Sequence, residues 1–276
     1  MQTIHRLEHS DALPSLPYVA HEILLALNAP EPDAARVVGA INRDPALTAR
    51  LISMANSASF RSMMPVYSVQ DAILRLGINR VRMLAVSIVL ARQLDTRRCP
   101  SFDAPSYWLE AMSTAVTAGQ LGRYVPLDTG PESAHLAGLV HSIGVLLLVS
   151  AFPDDMDILL REAAADPGQE PWLLERRRLG FDRYAAGAML LEEWELPEVI
   201  SRTVAAFPDP RREDQHWTLL RLLRGSLAWV RGDFDELPPE LEDPANLPAG
   251  LIEATRRTCL REHEWIRGMA TLLGSL

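Results

Sequence analysis

Apolar side chains recur along this chain at spacings of three and four residues, the interval that gathers them on one face of an α-helix. Leu16, Val19, Ala20, Ile23, Leu24 and Leu27 form one such stripe, ended by Asn28-Ala-Pro-Glu-Pro32. Leu47, Leu51, Met54 and Ala55 form a second. Asp44 opens it as an N-cap acceptor, followed by Pro45, whose fixed φ suits the first helical position. Ser68, with Asp71 three residues on, starts a third helix, and Gly77 can close it in the left-handed conformation. No strand pair or hairpin signal separates the apolar runs. The pattern predicts an irregular bundle of short helices over about residues 13 to 95.

Cys99-Pro-Ser-Phe-Asp-Ala-Pro105 interrupts the periodicity with two prolines and marks a boundary. Beyond it, helices are expected at about 106–124, 131–152, 154–164, 170–178, 182–194 and 197–206. Phe207-Pro-Asp-Pro-Arg-Arg212 is the next break. After it come a helix near 214–231, a proline-rich acidic loop over 232–248 and a last helix near 249–273. The expected division is therefore a lead at 1–12, an N-terminal helical subdomain at 13–98, a second helical subdomain at 99–207 and a helical extension at 208–276. Trp217, Leu220, Leu223 and Leu227 give that extension an apolar face, fit for packing on the core or for a partner.

Composition narrows the setting. Forty-eight per cent apolar and 23% charged residues make an ordinary globular balance, outside the disordered range. The longest apolar run, Ile143 to Phe152, has half of the roughly 20 residues a membrane span needs, so it reads as a core helix. The opening Met1-Gln-Thr-Ile-His-Arg6 has no apolar stretch behind its charge, which points to the cytoplasm and away from a membrane. A net charge of -9 disfavours nonspecific nucleic-acid binding, which needs a basic face. Cys99 and Cys259, far apart in sequence, supply neither a disulfide framework nor a thiolate metal motif.

Specific chemistry enters with Gly138-Leu-Val-His-Ser-Ile-Gly144. It resembles the Gly-Leu-Leu-His-Asp-Ile-Gly signature of the HD phosphohydrolase superfamily, with Ser142 where the metal-binding aspartate stands. A hydroxyl cannot supply the charge of a carboxylate to a divalent ion. Trp108-Leu-Glu-Ala-Met-Ser-Thr-Ala115 resembles the helix that carries the first ligand histidine, and Glu110 is in its place. Leu179-Gly-Phe-Asp-Arg-Tyr-Ala-Ala-Gly187 resembles the segment Gly-x-x-His-x-x-x-Gly, and Tyr184 is read at its histidine. Trp194-Glu-Leu-Pro197 resembles Trp-x-Leu-Pro, whose later His-His pair is here Ala206-Phe207. Leu13-Pro-Ser-Leu-Pro17, Asp44-Pro-Ala-Leu-Thr-Ala-Arg-Leu51, Ala55-Asn-Ser-Ala58 and Asp71-Ala-Ile-Leu-Arg-Leu-Gly77 resemble, in order, the signatures of the HDOD family. The resemblance runs from about Leu13 to about Phe207. It implies an all-helical, metal-free relative of HD enzymes: an irregular N-terminal bundle packed on a degenerate HD-like domain, working by partner binding in bacterial signalling, often near cyclic-dinucleotide pathways.

The candidate site is thus a degenerate pocket of Glu110, His141, Ser142 and Tyr184. Metal sites take three or four converging ligands, and two plausible ones remain, so no metal, no cofactor and no catalysis is expected. His135 and His141, six residues apart, sit about 120° from each other on a continuous helix and cannot chelate one ion. Neither a nucleophile elbow nor a phosphate-binding loop is present. Asn56 and Ser57 read as structural residues at a helix end. Arg176-Arg-Arg178, beside Glu175 with Glu170 and Asp182 nearby, reads as an ion-paired solvated face ahead of an anion site, as do Arg211-Arg212 and Arg256-Arg257. The leading expectation is a non-enzymatic scaffold that engages a signalling protein. A nucleotide sensor using the degenerate pocket is the second reading, and a residual phosphohydrolase using Glu110 and His141 the third.

Overall fold

The computed structural model describes residues 14–16, 18, 20–22, 34–57, 65–127, 130–166, 168–208, 217–242, 247 and 249–276. Every regular element among them is helical, so the all-α expectation holds. Most of the Leu16–Leu27 stripe, Ala58 and Arg211-Arg212 lie outside the described residues.

The N-terminal bundle comprises α1 (Ala34–Asn42), α2 (Pro45–Ala55), α3 (Val69–Leu76) and α4 (Ile78–Gln93). Its helix starts follow local chemistry. Asp44 Oδ1 accepts the Ala46 and Leu47 amides at 2.9 and 3.0 Å, and Ser68 Oγ accepts the Asp71 amide at 3.0 Å. Such caps each stabilise a helix by about 1 kcal/mol. Gly77 departs from expectation: its φ of 83° is positive but its ψ of 153° is extended. It therefore joins α3 directly to α4, in a conformation nearly closed to residues with a Cβ. Asn56 spans the α2–α3 connection with both ends of its amide, donating to Val66 O and accepting from Val66 N, each at 2.8 Å. Its role is structural, though it serves the connecting loop and not orphan helix carbonyls. Helix α4 is buried on every face from Val81 to Leu90 and forms the axis of the bundle.

The second subdomain contains α5 (Ala104–Leu121), α6 (Pro131–Val140), α7 (Ile143–Ala151), α8 (Pro153–Ala165), α9 (Pro171–Leu179), α10 (Arg183–Glu193) and α11 (Glu198–Ala205). The single helix expected over 131–152 is two helices broken at His141-Ser142. The cause is local: the His141 ring bonds the Gly138 carbonyl at 2.7 Å, the acceptor that a continuing helix would assign to the Ser142 amide. His135 and His141 are therefore not two positions of one continuous helix. Gly144 lets α7 press on α10, since a Cβ there would lie 1.8 Å from the Arg183 carbonyl oxygen and 2.7 Å from the Gly187 nitrogen. Ser133–Ala151 is apolar and long enough to resemble a membrane span, but 78% of it is buried inside the molecule across this break. Two of the sequence motifs also meet: Trp194 Nε1 donates to Pro14 O at 2.8 Å.

The extension, α12 (Trp217–Arg231), α13 (Pro239–Glu242) and α14 (Ala249–Gly274), packs on the core. Helix α14 lies along α5 in the most extensive helix pair of the molecule. Leu219, Leu220, Leu222, Leu223 and Leu227 of α12 are buried, each worth about 2 kcal/mol against exposure. Arg80 of α4 pairs with Glu262 of α14, Nε–Oε2 2.8 Å, and lies 5.1 Å over the Trp265 ring. One continuous core results, shared by the bundle, the second subdomain and the extension.

Candidate functional site

Helix α5 carries Glu110 toward the C-terminus of α12, where Arg231 is the last residue. Arg231 grips Glu110 with two bonds, Nε–Oε2 2.7 Å and Nη2–Oε1 3.1 Å. Burial opposes ionisation of Glu110, but the Arg231 guanidinium, with smaller help from His141 and Arg183, holds its carboxyl below the usual range. Arg231 also sits where the helix dipole favours a cation.

His141 lies in the turn behind this pair, 2% exposed. Its Nδ1–H donates to the Gly138 carbonyl, which leaves Nε2 as a bare acceptor without a partner. Burial, joined by the Arg231 charge, pushes its pKa down despite Glu110 and the Gly138 carbonyl, so the ring is neutral near pH 7. Ser142 Oγ stands next to the Tyr107 hydroxyl without reaching hydrogen-bond geometry, and burial pushes the Tyr107 pKa up. Among the described residues, no carboxylate enters where the HD aspartate would.

Tyr184, on the first turn of α10, is placed by Asp182, which caps the helix through the Tyr184 and Ala185 amides at 2.9 Å each. Its ring stacks on Phe207, centroids 5.4 Å apart and planes 11° apart, and Phe207 also faces His141 at 5.7 Å. Arg224 of α12 fixes Phe207 in turn. It donates to Phe207 O at 3.1 and 2.7 Å and to Ala206 O at 2.8 Å, with its guanidinium 5.9 Å above the ring.

Of the four expected residues, Glu110 and His141 share the centre, Ser142 turns to Tyr107, and Tyr184 belongs to the aromatic rim. The reading of Tyr184 as the histidine position needs correction. Counted between Gly180 and Gly187, that position is Arg183. Arg183 pairs with buried Glu175, Nε–Oε1 2.8 Å, and its backbone amide donates to Glu175 Oε2 at 2.8 Å. Its charge reaches Glu110. Arg231 and Arg224 were missed because they lie outside the resembling segment, and no short spacing links Glu110 to a residue 121 positions away.

Among the described residues, no three His, Cys, Asp or Glu side chains converge as metal ligands. The groups at the centre do not fit a divalent cation: its carboxylate is engaged and two guanidiniums carry positive charge into it. Outside it, an open basin of about 700 Å³ runs past Trp172, Tyr184, Phe207, Arg221 and Arg224. The Arg176–Arg178 face is ion-paired as expected, Arg176 with Asp182 at 2.6 Å and Arg178 with Asp155 at 2.8 Å.

A family model described as HDOD domain matches residues 13–210. A Treponema pallidum protein, described only as uncharacterized, is 27% identical over 194 residues, 70% of this chain and 37% of its own length. The crystal structure of a Marinobacter aquaeolei protein described as a signal transduction protein superposes with a TM-score of 0.78 at 27% identity, over 96% of this chain and 60% of that one. A Shewanella amazonensis protein described as a phosphohydrolase superposes with a TM-score of 0.68 at 26% identity, covering 96% of this chain and 99% of its own. The chain thus spans less than two thirds of the Treponema and Marinobacter proteins.

Proposed function

The chain belongs to the HDOD family, and from that membership we propose that it is a non-catalytic bacterial signal-transduction protein whose HD centre has become a structural joint. The observation that carries this reading is the Arg231–Glu110 pair. A guanidinium from the extension takes the carboxylate that stands at the first ligand position, and Arg183 brings a second positive charge. Hydrolysis at such a centre lacks the means to bind an ion and to lower the pKa of a water on it. What remains is a rigid helical surface that engages a signalling protein, in the cyclic-dinucleotide-linked control of motility, biofilm or stress that the resemblance implies. The fold likeness to a protein described as a signal transduction protein supports the same assignment.

Two measurements test it. Turnover of bis(p-nitrophenyl) phosphate and of cyclic di-GMP with Mn²⁺, Mg²⁺ or Zn²⁺ is expected at background. Turnover that disappears in both Glu110→Gln and His141→Gln would restore the hydrolase reading. Deletion in the host is expected to alter motility, biofilm or stress survival, and unchanged phenotypes would remove the signalling role.

A second reading, ligand sensing at the degenerate centre, is favoured by the basin beside Tyr184 and Phe207. It requires a nucleotide to displace aromatic and arginine contacts already made within the chain. Cyclic di-GMP at 100 times its dissociation constant would stabilise the protein by about 2.7 kcal/mol, and an unchanged melting temperature at saturating concentration rejects it.

A further inference from the structure

A second crevice, of about 670 Å³, opens at the far end of α5 and is lined by Leu76 at the end of α3, Gly77 to Arg80 and Arg82 at the α4 start, Val116, Gly119 and Gln120 of α5 with Arg123 beyond it, His135 of α6, and Thr258 and Glu262 of α14. We propose that this crevice is a binding site for a phosphate monoester, seated on the uncapped N-terminus of α4 and held by Arg123. Nothing in the degenerate HD centre is needed for it, so the two readings stand or fall separately.

Four features support the assignment. First, Gly77 offers no side chain to cap α4, the first turn has no acidic residue, and the amides of Ile78, Asn79 and Arg80 meet no acceptor among the described residues. Three amides pointing out of a 16-residue helix form an anion cradle strengthened by the helix dipole. Second, the crevice wall is basic. Arg123 reaches it from outside the end of α5 with no carboxylate partner among the described residues, Glu262 is occupied by Arg80, and Arg82, 2% exposed, lines it while engaged within the chain. Third, His135 registers that positive field. Burial first, then the Arg82 and Arg123 charges, hold its pKa down to about 4 against a bond to the Ala115 carbonyl, and its Nε2, a bare acceptor without a partner, suits a ligand hydroxyl rather than the phosphate. Among the described residues, Arg80 and Glu262 are the remaining charged groups of the wall, and they neutralise each other. Gly119 makes room for the imidazole, since a Cβ there would lie 3.0 Å from His135 Nδ1. Fourth, the volume suits an organic ligand. Drug-sized and cofactor sites run from roughly 300 to 1,000 Å³, so a phosphate alone would leave most of the crevice empty. Asn79, Gln120 and Thr258 supply polar contacts for a hydroxylated body such as ribose.

The ligand would touch the N-terminal bundle, the second subdomain and the extension at once. Its presence would therefore lock three regions together, which is the position of an input site in a signalling module.

Calorimetric titration of the full chain with AMP, ribose 5-phosphate, adenosine, sodium sulfate and cyclic di-GMP decides the matter. The monoesters are expected to bind, and adenosine and cyclic di-GMP, which lack a monoester, to bind at least tenfold more weakly. Equal affinity for AMP and ribose 5-phosphate assigns a sugar phosphate, and tighter AMP assigns a nucleotide. Arg123→Glu and Asn79→Asp are each expected to weaken monoester binding at least tenfold. Asn79 is exposed and a carboxylate in the first turn favours the helix, so Asn79→Asp should melt no lower than the parent. Amide resonances of Ile78, Asn79 and Arg80 should shift with AMP in the parent only. No heat with either monoester at about 10 mM, beyond the millimolar range of even weak sites, overturns the proposal. So does sulfate binding as tightly as the monoesters, or monoester binding unchanged in both variants.

Discussion

Helix α5 has a crevice near each end, and the two have been resolved in opposite ways. At Glu110 the charged groups answer one another: Arg231 takes the carboxylate, Arg224 takes two carbonyls, and Tyr184 and Phe207 stack beside them, while His141 Nε2 and Ser142 Oγ stay without a partner. At Arg123 an uncapped helix start, a basic wall and an unpartnered imidazole nitrogen stand around an open volume. A histidine kept neutral by burial lies near each end of α5, and both crevices border the extension, α12 and α14 at one and α14 at the other. The lesson is that loss of catalytic residues does not by itself leave a ligand site. A vacated centre is stable when the protein pairs its own charges, because a charge left without a partner away from water is costly. The place to look for a ligand is where the chain has not done so.

The sharpest way to break the comparison is through the glycines beside each crevice. Gly144→Ala drives a methyl group into the backbone of α10, which cannot rotate away, and should destabilise the protein by roughly 3 kcal/mol or more in urea unfolding. Gly119→Ala meets only the His135 side chain, and should cost about 1 kcal/mol. Equal costs would mean that the helices beneath the degenerate centre are no more tightly committed than those at the open crevice.

Acid comes next in size. His135 has a folded pKa near 4 against an ordinary 6.5, so the unfolded chain binds the proton first. Its contribution is fully present above pH 6.5, falls as pH drops toward 4 and is exhausted below that. With solvent screening at a half-buried residue, the loss is on the order of 2 kcal/mol. His135→Gln should flatten this limb of a stability-pH profile, and AMP should protect against it. His141, also depressed, acts on the same side of neutrality, so His141→Gln separates the two crevices. A profile unaffected by His135→Gln would show that the basic wall does not act on this ring.

These contrasts were legible in the sequence only in part. The helices followed from period and caps, since Asp44 and Ser68 act within three residues of themselves. The break at His141-Ser142 was hidden because residues 131–152 are apolar on all sides, and a ring-to-carbonyl bond leaves no trace in periodicity. Glu110, His141 and Ser142 were found through adjacent motif positions. Arg231 was not, since its distance from Glu110 along the chain is set by tertiary packing of an extension that lies beyond the resembling segment. The open crevice was equally silent: its parts come from five helices, and its main sign, an absent cap at Gly77, was read as a helix end and not as a helix beginning.

Arg224→Ala should cost about 1–2 kcal/mol, because it strips the donors from two carbonyls at the end of α11 and releases Phe207. The same variant should leave AMP binding at the other crevice unchanged. Loss of both would mean that the extension moves as one body and couples the two ends of α5.

The smallest effect is the most direct probe of the closed crevice. In a double-mutant cycle of Glu110→Gln and Arg231→Gln, the coupling is expected to be about 1 kcal/mol, the upper end for a solvent-touched pair. The side chains are 29% and 60% exposed, which rules out the larger value of a desolvated bridge, while the two-pronged contact and the α12 dipole keep it above zero. Because Glu110 has a lowered pKa, this contribution is fully present above about pH 4.5 and is lost as pH falls through the folded value, a window below that of the histidines. Raising salt should reduce it. A coupling of zero at low salt would show that the aromatic stack closes the centre unaided, leaving Glu110 available to an incoming cation, and the hydrolysis assays would then be repeated on Arg231→Gln.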